Sequence, residues 1–254
     1  MPVAAELYYY LYEGGSGEGP SLVLIHGSGG THLYWPSEVR RIPGYRIYAL
    51  DLPGHGKSGR RGFQSVAAYG ESVLDWMQAV DLHRAVFTGH SMGAAIAIWL
   101  AIEHPEHVLG LGLLGGGARL RVHPDILHNI PNETTYQTAI AQVVSWSFSE
   151  QAPARLVEQA ANRLAETRPS VLHGDLLACD AFDEMDRVSG ISQPAIVITG
   201  AEDRMTPPRY AQFLADNLPN AELHLVPGAG HMVMLEKPQE VARLLRRFLE
   251  GIRF

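Results

Sequence analysis

What the chain has little of narrows its function first. One cysteine, Cys179, stands among 254 residues, so no internal disulfide can form, and this usage fits a reducing compartment. Cys179 belongs to no paired motif and is expected to be a small buried hydrophobe. Positive charge is also scarce. The 20 Lys and Arg against 27 Asp and Glu leave a net charge of −7, and no basic block exists of the kind that displaces counterions, which argues against nucleic acid as a partner. Arg243, Arg246 and Arg247 fall on the polar side of a helical pattern, a solvated face. No apolar run reaches the roughly 18 residues of a membrane span, and Met1 to Tyr12 lacks the basic and apolar regions of a signal peptide, so no span and a cytoplasmic location are expected. Metal-ligand spacing is missing too: His104-Pro105-Glu106-His107 carries a proline inside and matches no zincin pattern, and reads as a helix end. Gly54-His55-Gly56-Lys57-Ser58 is not a phosphate loop, because that pattern needs glycine where Asp51 stands. Neither metal nor cofactor is expected.

What is present is ample apolar material. Hydrophobic residues make up 46%, enough for one large domain or one domain with an insertion. Short apolar runs recur at 21–25, 45–50, 85–88, 108–114, 195–199 and 222–226, the kind buried on both faces of a parallel sheet. An aromatic, β-prone stretch over 6–12, followed by the glycine-rich 14–20, predicts an edge hairpin at the start. Helical patterns fall between the runs, such as Val66, Tyr69, Val73, Met77 and Val80 after Ser65 as a cap. Alternating strand and helix predicts an α/β fold with a doubly wound, mostly parallel sheet. From Arg119 to Ser192 no strand-like run appears, which is too long for a plain loop. The expected organisation is a core of 1–118 and 193–254 with a helical lid over 119–192.

The stretch that carries chemistry is Thr88-Gly89-His90-Ser91-Met92-Gly93, a G-x-S-x-G run between an apolar strand and a small, apolar helix. Glycines at 89 and 93 allow a tight turn that presents Ser91 at a helix N-terminus, where free N–H groups favour negative charge. Five residues with free positions are weak alone, so the partners must carry the case. His231, in Pro227-Gly228-Ala229-Gly230-His231 after the last strand, is placed to be the base. Either Glu202 or Asp203, in Gly200-Ala201-Glu202-Asp203-Arg204 after the preceding strand, is placed to be the acid. The order serine, acid, histidine suits this scaffold. For an oxyanion, the Met92 N–H is one donor and the Ser28 N–H, from His26-Gly27-Ser28-Gly29-Gly30, the second, with Gly29 as the fallback. His26 and His90 read as hydrogen-bonded scaffold.

Taken together, His26-Gly27-Ser28-Gly29, Asp51-Leu52-Pro53-Gly54-His55-Gly56-Lys57-Ser58, Gly89-His90-Ser91-Met92-Gly93, Gly200-Ala201-Glu202-Asp203 and Gly230-His231 resemble the α/β-hydrolase superfamily, in its esterase, lactonase and carbon-carbon hydrolase branch. The resemblance covers nearly the whole chain, the insertion being the variable lid. It implies Asp203 as the acid and His231 as the base, and makes Asp51 and His55 parts of a structural turn.

A serine nucleophile sets the chain apart, by the logic of that superfamily, from its epoxide and haloalkane hydrolases, which carry aspartate there. What remains is acyl transfer to water, with a small apolar ester or lactone as the molecule bound. Candidate substrate-binding residues are Gly27, Gly29, Trp35, Tyr136 and Trp146, with His128, Phe148 and Phe182 as further ring side chains of the insertion. A carboxylesterase is the expected activity and a lactonase, for instance on acyl-homoserine lactones, the alternative. Carbon-carbon hydrolases resemble the 26–29 stretch but carry proline next, where Gly30 stands here. A ligand receptor retaining the triad is a further alternative.

Overall fold

The apolar runs pair into one eight-stranded sheet, seen in a computed structural model that describes residues 2–15, 19–59 and 61–254. In chain order the strands are β1 (Val3–Ala4), β2 (Leu7–Glu13), β3 (Leu22–Ile25), β4 (Arg46–Leu50), β5 (Ala85–His90), β6 (Val108–Leu114), β7 (Ala195–Gly200) and β8 (Ala221–Val226). Their spatial order is β1-β2-β4-β3-β5-β6-β7-β8. From β4 to β8 all neighbours are parallel, whereas β2 runs antiparallel to β1 and β4. The reason is composition. The four-residue LVLI of β3 and the seven-residue VLGLGLL of β6 are buried throughout, as strands covered on both faces must be.

The initial hairpin exists, but its turn is not the one expected. β1 and β2 fold back through Ala5 and Glu6, both at positive φ (45° and 66°). β2 then pairs with β4, Tyr9 opposite Leu50, and not with β3. Both edges of β3 are taken by β4 and β5, so it has no free edge for a hairpin partner. Part of the glycine-rich turn, 16–18, lies outside the described residues.

Side chains alternate along the strands and split the core into two layers. Val23, Ile25 and Phe87 face α2 (Val66–Ala79), α3 (Met92–Glu103) and α8 (Pro208–Asn217). Leu22, Leu24 and Ile47 face α1 (Ser37–Arg40) and α10 (Pro238–Glu250). The Ser65 hydroxyl caps α2 by accepting from the Ala68 N–H at 3.2 Å.

Between β6 and β7 the chain forms α4 (Pro124–Asn129), α5 (Tyr136–Ser147), α6 (Ala154–Ala165) and α7 (Pro169–Ala181). Among the described residues this stretch holds no strand, only an isolated bridge between Arg119 and Asp183 that closes its base. Its apolar residues join both layers of the core: Ile140, Leu164 and Leu172 one, Ala178, Cys179 and Phe182 the other. The last helical pieces are α9 (Val233–Glu236) and α10. Among the described residues no helix is long and apolar enough to cross a membrane.

Candidate active site

Ser91 occupies a backbone conformation that residues with a Cβ rarely adopt, φ 54° and ψ −116°, between the end of β5 and the start of α3. Such strain persists only where the surroundings enforce it. Here they do: a Cβ on Gly89 would stand 2.0 Å from the Gly93 carbonyl oxygen, and one on Gly93 would stand 2.1 Å from the Ile25 oxygen. The Ser91 N–H donates to the Leu114 carbonyl at 2.9 Å, pinning the turn to β6. The Ser91 side chain borders a cavity and forms no hydrogen bond among the described residues.

His231 borders the same cavity and is paired with Asp203. His231 Nδ1 lies 2.9 Å from Asp203 Oδ2, both side chains being buried. A carboxylate only accepts, so the proton sits on Nδ1 and the Nε2 lone pair is left free. Asp203 Oδ1 accepts from the Met205 and Thr206 N–H groups, each at 2.9 Å. Burial pushes this carboxyl up, but the facing His231 ring and the Thr206 donors outweigh it and hold its pKa below the usual range. Glu202 makes no bond to His231 among the described residues, so of the two acids left open only Asp203 is in place. Gly115, at φ 51°, lets β6 end close by: a Cβ there would stand 3.1 Å from His231 Nδ1.

Two N–H groups are unspent. Among the described residues neither the Ser28 nor the Met92 N–H makes a hydrogen bond outside regular elements, and Met92 opens α3, where no intrahelical acceptor exists. Gly29, the fallback, is occupied: its N–H donates to Asp175 Oδ2 at 2.8 Å.

The cavity has a volume of ≈ 100 Å³ and is bordered by Gly27, Ser28, His90, Ser91, Thr206 and His231 at the strand ends. Tyr34, Val143, Val144, Phe148, Leu164, Leu172, Leu176 and Cys179 supply most of the rest, largely from α5, α6 and α7. Several of the expected pocket residues lie elsewhere. Trp35 is fully buried in the core; successive side chains diverge, and its neighbour Tyr34 takes the cavity side. Tyr136 turns its hydroxyl to the Thr167 carbonyl at 2.5 Å and does not border the cavity. Trp146 borders a second cavity of ≈ 410 Å³ that shares Arg121, Val122, Leu176 and Met205 with the first. Gly29 lies behind the wall, His128 is exposed and Phe182 is core.

Two further buried histidines, His26 and His90, brace loops. His26 Nδ1 donates to the Gly27 carbonyl at 2.7 Å while Nε2 accepts from the Leu52 N–H at 3.0 Å, and burial lowers its pKa to about 4. His90 Nε2 donates to the His231 carbonyl at 3.0 Å; burial takes its pKa to about 3. Asp51 accepts from the His32 N–H (2.7 Å) and the Lys57 N–H (2.9 Å), holding its own turn. Burial pushes the Cys179 thiol up to about 12, so it stays protonated and unreactive. Sequence reasoning missed Asp175, a buried carboxylate of α7 bonded to His55, Tyr69 and Gly29. Its signal was one acid set among the apolar residues Val171, Leu172, Leu176 and Leu177.

Among the described residues no group of three His, Cys, Asp or Glu side chains could hold a metal ion. The family model described as the alpha/beta hydrolase fold matches residues 20–238. A pimeloyl-[acyl-carrier protein] methyl ester esterase of Yersinia enterocolitica is 28% identical over 255 residues, covering 94% of this chain and 97% of its own. A thermophilic esterase of known structure superposes with a TM-score of 0.82 at 34% identity, over 97% of this chain and all of the other. An N-acyl homoserine lactone degrading enzyme, Est816, matches with a TM-score of 0.82 at 28% identity, over 95% and 96%.

Proposed function

Because the chain belongs to the alpha/beta hydrolase family and is a hydrolase, we propose that it cleaves carboxylic esters of small to medium acyl groups through an acyl-enzyme on Ser91. The observation that carries this reading is that His231, paired with Asp203 at 2.9 Å, borders the same cavity as the strained Ser91. In the first half-reaction His231 Nε2 takes the Ser91 proton as Oγ bonds to the carbonyl carbon, and the carbonyl electrons move to oxygen. The Ser28 and Met92 N–H groups stabilise that oxyanion. Collapse expels the alcohol, which leaves with the proton from His231. Water then repeats the steps on the acyl-enzyme, releasing the acid and restoring Ser91. Asp203 keeps the His231 ring in the tautomer that can accept.

The apolar wall and the ≈ 100 Å³ volume favour a short acyl chain. The thermophilic esterase and the methyl ester esterase among the relatives support an ester as the substrate. A lactone is the second reading, favoured by the likeness to the N-acyl homoserine lactone degrading enzyme; ring opening uses the same groups. The helices over 119–192 serve, on this reading, as the lid. Turnover on p-nitrophenyl esters of two to eight acyl carbons, beside γ-butyrolactone and acyl-homoserine lactones, separates the two. Ser91→Ala and His231→Ala are each expected to lower kcat by roughly 10³-fold or more with the circular dichroism spectrum retained. A folded Ser91→Ala protein that still turns over would refute the mechanism, and one burst per enzyme with retained product would indicate a receptor.

A further inference from the structure

Asp175 has no exposed surface, although it comes from α7 and not from a loop at the site. Its Oδ2 accepts from the Gly29 N–H at 2.8 Å and faces His55 Nε2 at 2.8 Å, while Oδ1 accepts from the Tyr69 hydroxyl at 2.5 Å. His55 Nδ1 faces the Pro53 carbonyl at 3.1 Å. Both ring nitrogens thus point at acceptors, so the ring carries both protons and a charged pair spans the joint between α7 and the sheet. The other polar group of Gly29 is held from the same side, since the Thr167 hydroxyl donates to its carbonyl at 2.9 Å. Gly29 is at φ 65°, and a Cβ there would stand 2.4 Å from Leu164 Cδ1. Gly29 follows Ser28 directly, so holding its N–H fixes the Ser28–Gly29 peptide plane, which adjoins the plane of the Ser28 N–H, and holding its carbonyl fixes the plane beyond.

We propose that Asp175 is a positioning residue: by gripping the Gly29 N–H it aims the Ser28 N–H at the place where the oxyanion forms. The proposal rests on the Ser91 reading above. It separates aim from mere adhesion, because Tyr69 grips the same carboxylate without touching Gly29. A donor displaced by a fraction of an ångström is paid for in the transition state and not in the ground state.

The full chain is compared as Asp175→Asn, Asp175→Glu, Tyr69→Phe and Ser91→Ala. The readouts are kcat and KM on p-nitrophenyl acetate, thermal midpoint, and the inhibition constant of phenylboronic acid, whose tetrahedral adduct on Ser91 puts an oxygen between the two donors. Asp175→Asn is expected to lower kcat roughly 10- to 100-fold and weaken the boronate by a similar factor, with KM within about threefold. Tyr69→Phe is expected to lower the midpoint while kcat and boronate affinity stay within about threefold. A folded Asp175→Asn protein with wild-type kcat and boronate affinity overturns the proposal, as does a loss in both variants that simply tracks the midpoint. Should Asp175→Asn not fold, Asp175→Glu, which keeps the charge beside His55 but displaces the carboxylate from the Gly29 N–H, carries the test: a lowered kcat and weakened boronate at retained KM support the grip, and unchanged values refute it. Ser91→Ala is read separately, since turnover surviving there refutes the Ser91 reading, whereas its loss beside a fully active Asp175→Asn refutes the positioning role alone.

Discussion

Asp203 can be tested with little disturbance to shape. Its carboxylate accepts hydrogen bonds from His231 Nδ1–H and from two backbone N–H groups, and Asn would keep the volume while presenting a donor or a neutral acceptor to the ring. Asp203→Asn is therefore expected to lower kcat by roughly 10³-fold or more while KM changes little, measured on p-nitrophenyl acetate. Rates equal to wild type would move the acid role elsewhere, Glu202 being the neighbour to test. The buried histidines make a separate, pH-dependent claim. Burial lowers His26 from 6.5 to about 4 and His90 from 6.5 to about 3. Between those values the unfolded chain binds protons that the folded chain refuses, so stability is full above pH 6.5 and falls as pH drops toward 4. His55, whose pKa rises in the folded protein although burial opposes it, because Asp175 faces it, stabilises on the acid side and loses that contribution as pH climbs through its folded pKa. Denaturant midpoints are expected to fall as pH drops from 6.5 to 4.5, His55 offsetting part of the loss; a flat profile there would contradict the neutral, buried state of His26 and His90.

The element on which the site depends is the strand-turn-helix from β5 to α3, where the backbone crosses β3 so closely that only hydrogen fits on Gly93. Gly93→Ala is expected to destabilise the protein by more than about 2 kcal/mol or prevent folding. Gly190→Ala, where an added Cβ meets nothing within 4 Å, is expected to leave the thermal midpoint unchanged. This element was readable in the sequence because steric need confines the pattern to glycine, serine and glycine. The parallel strands were readable for a similar reason, since only a sheet covered on both faces tolerates runs such as Leu22 to Ile25. Trp35, Tyr136 and Trp146 were not, because an aromatic ring satisfies core and cavity alike and a small change in helix rotation decides which it fills. Nor did periodicity foretell that Asp175 meets His55: the two are 120 positions apart, and only the docking of α7 brings them together.

At the scale of the whole molecule the cavity belongs to two parts of the chain at once. Sheet loops supply Ser91, His231 and the free N–H groups, whereas α5, α6 and α7 supply much of the apolar wall. On the proposed function, specificity and stability are coupled, because the wall residues are also core: Leu172 borders the cavity and is only 2% exposed within the hydrophobic cluster. Leu172→Ala removes part of the wall and is expected to cost about 2–4 kcal/mol of stability. The same space should admit longer acyl chains, so the ratio of kcat/KM for p-nitrophenyl octanoate to that for the acetate is expected to rise several-fold, by the ~1–3 kcal/mol that apolar contacts discriminate. Thermal midpoint and the two specificity constants, measured on one preparation, check both halves. A lower midpoint with an unchanged ratio would mean that the surrounding helices collapse into the space, and would locate chain-length control in the second cavity around Trp146 and Arg204 instead of in α7.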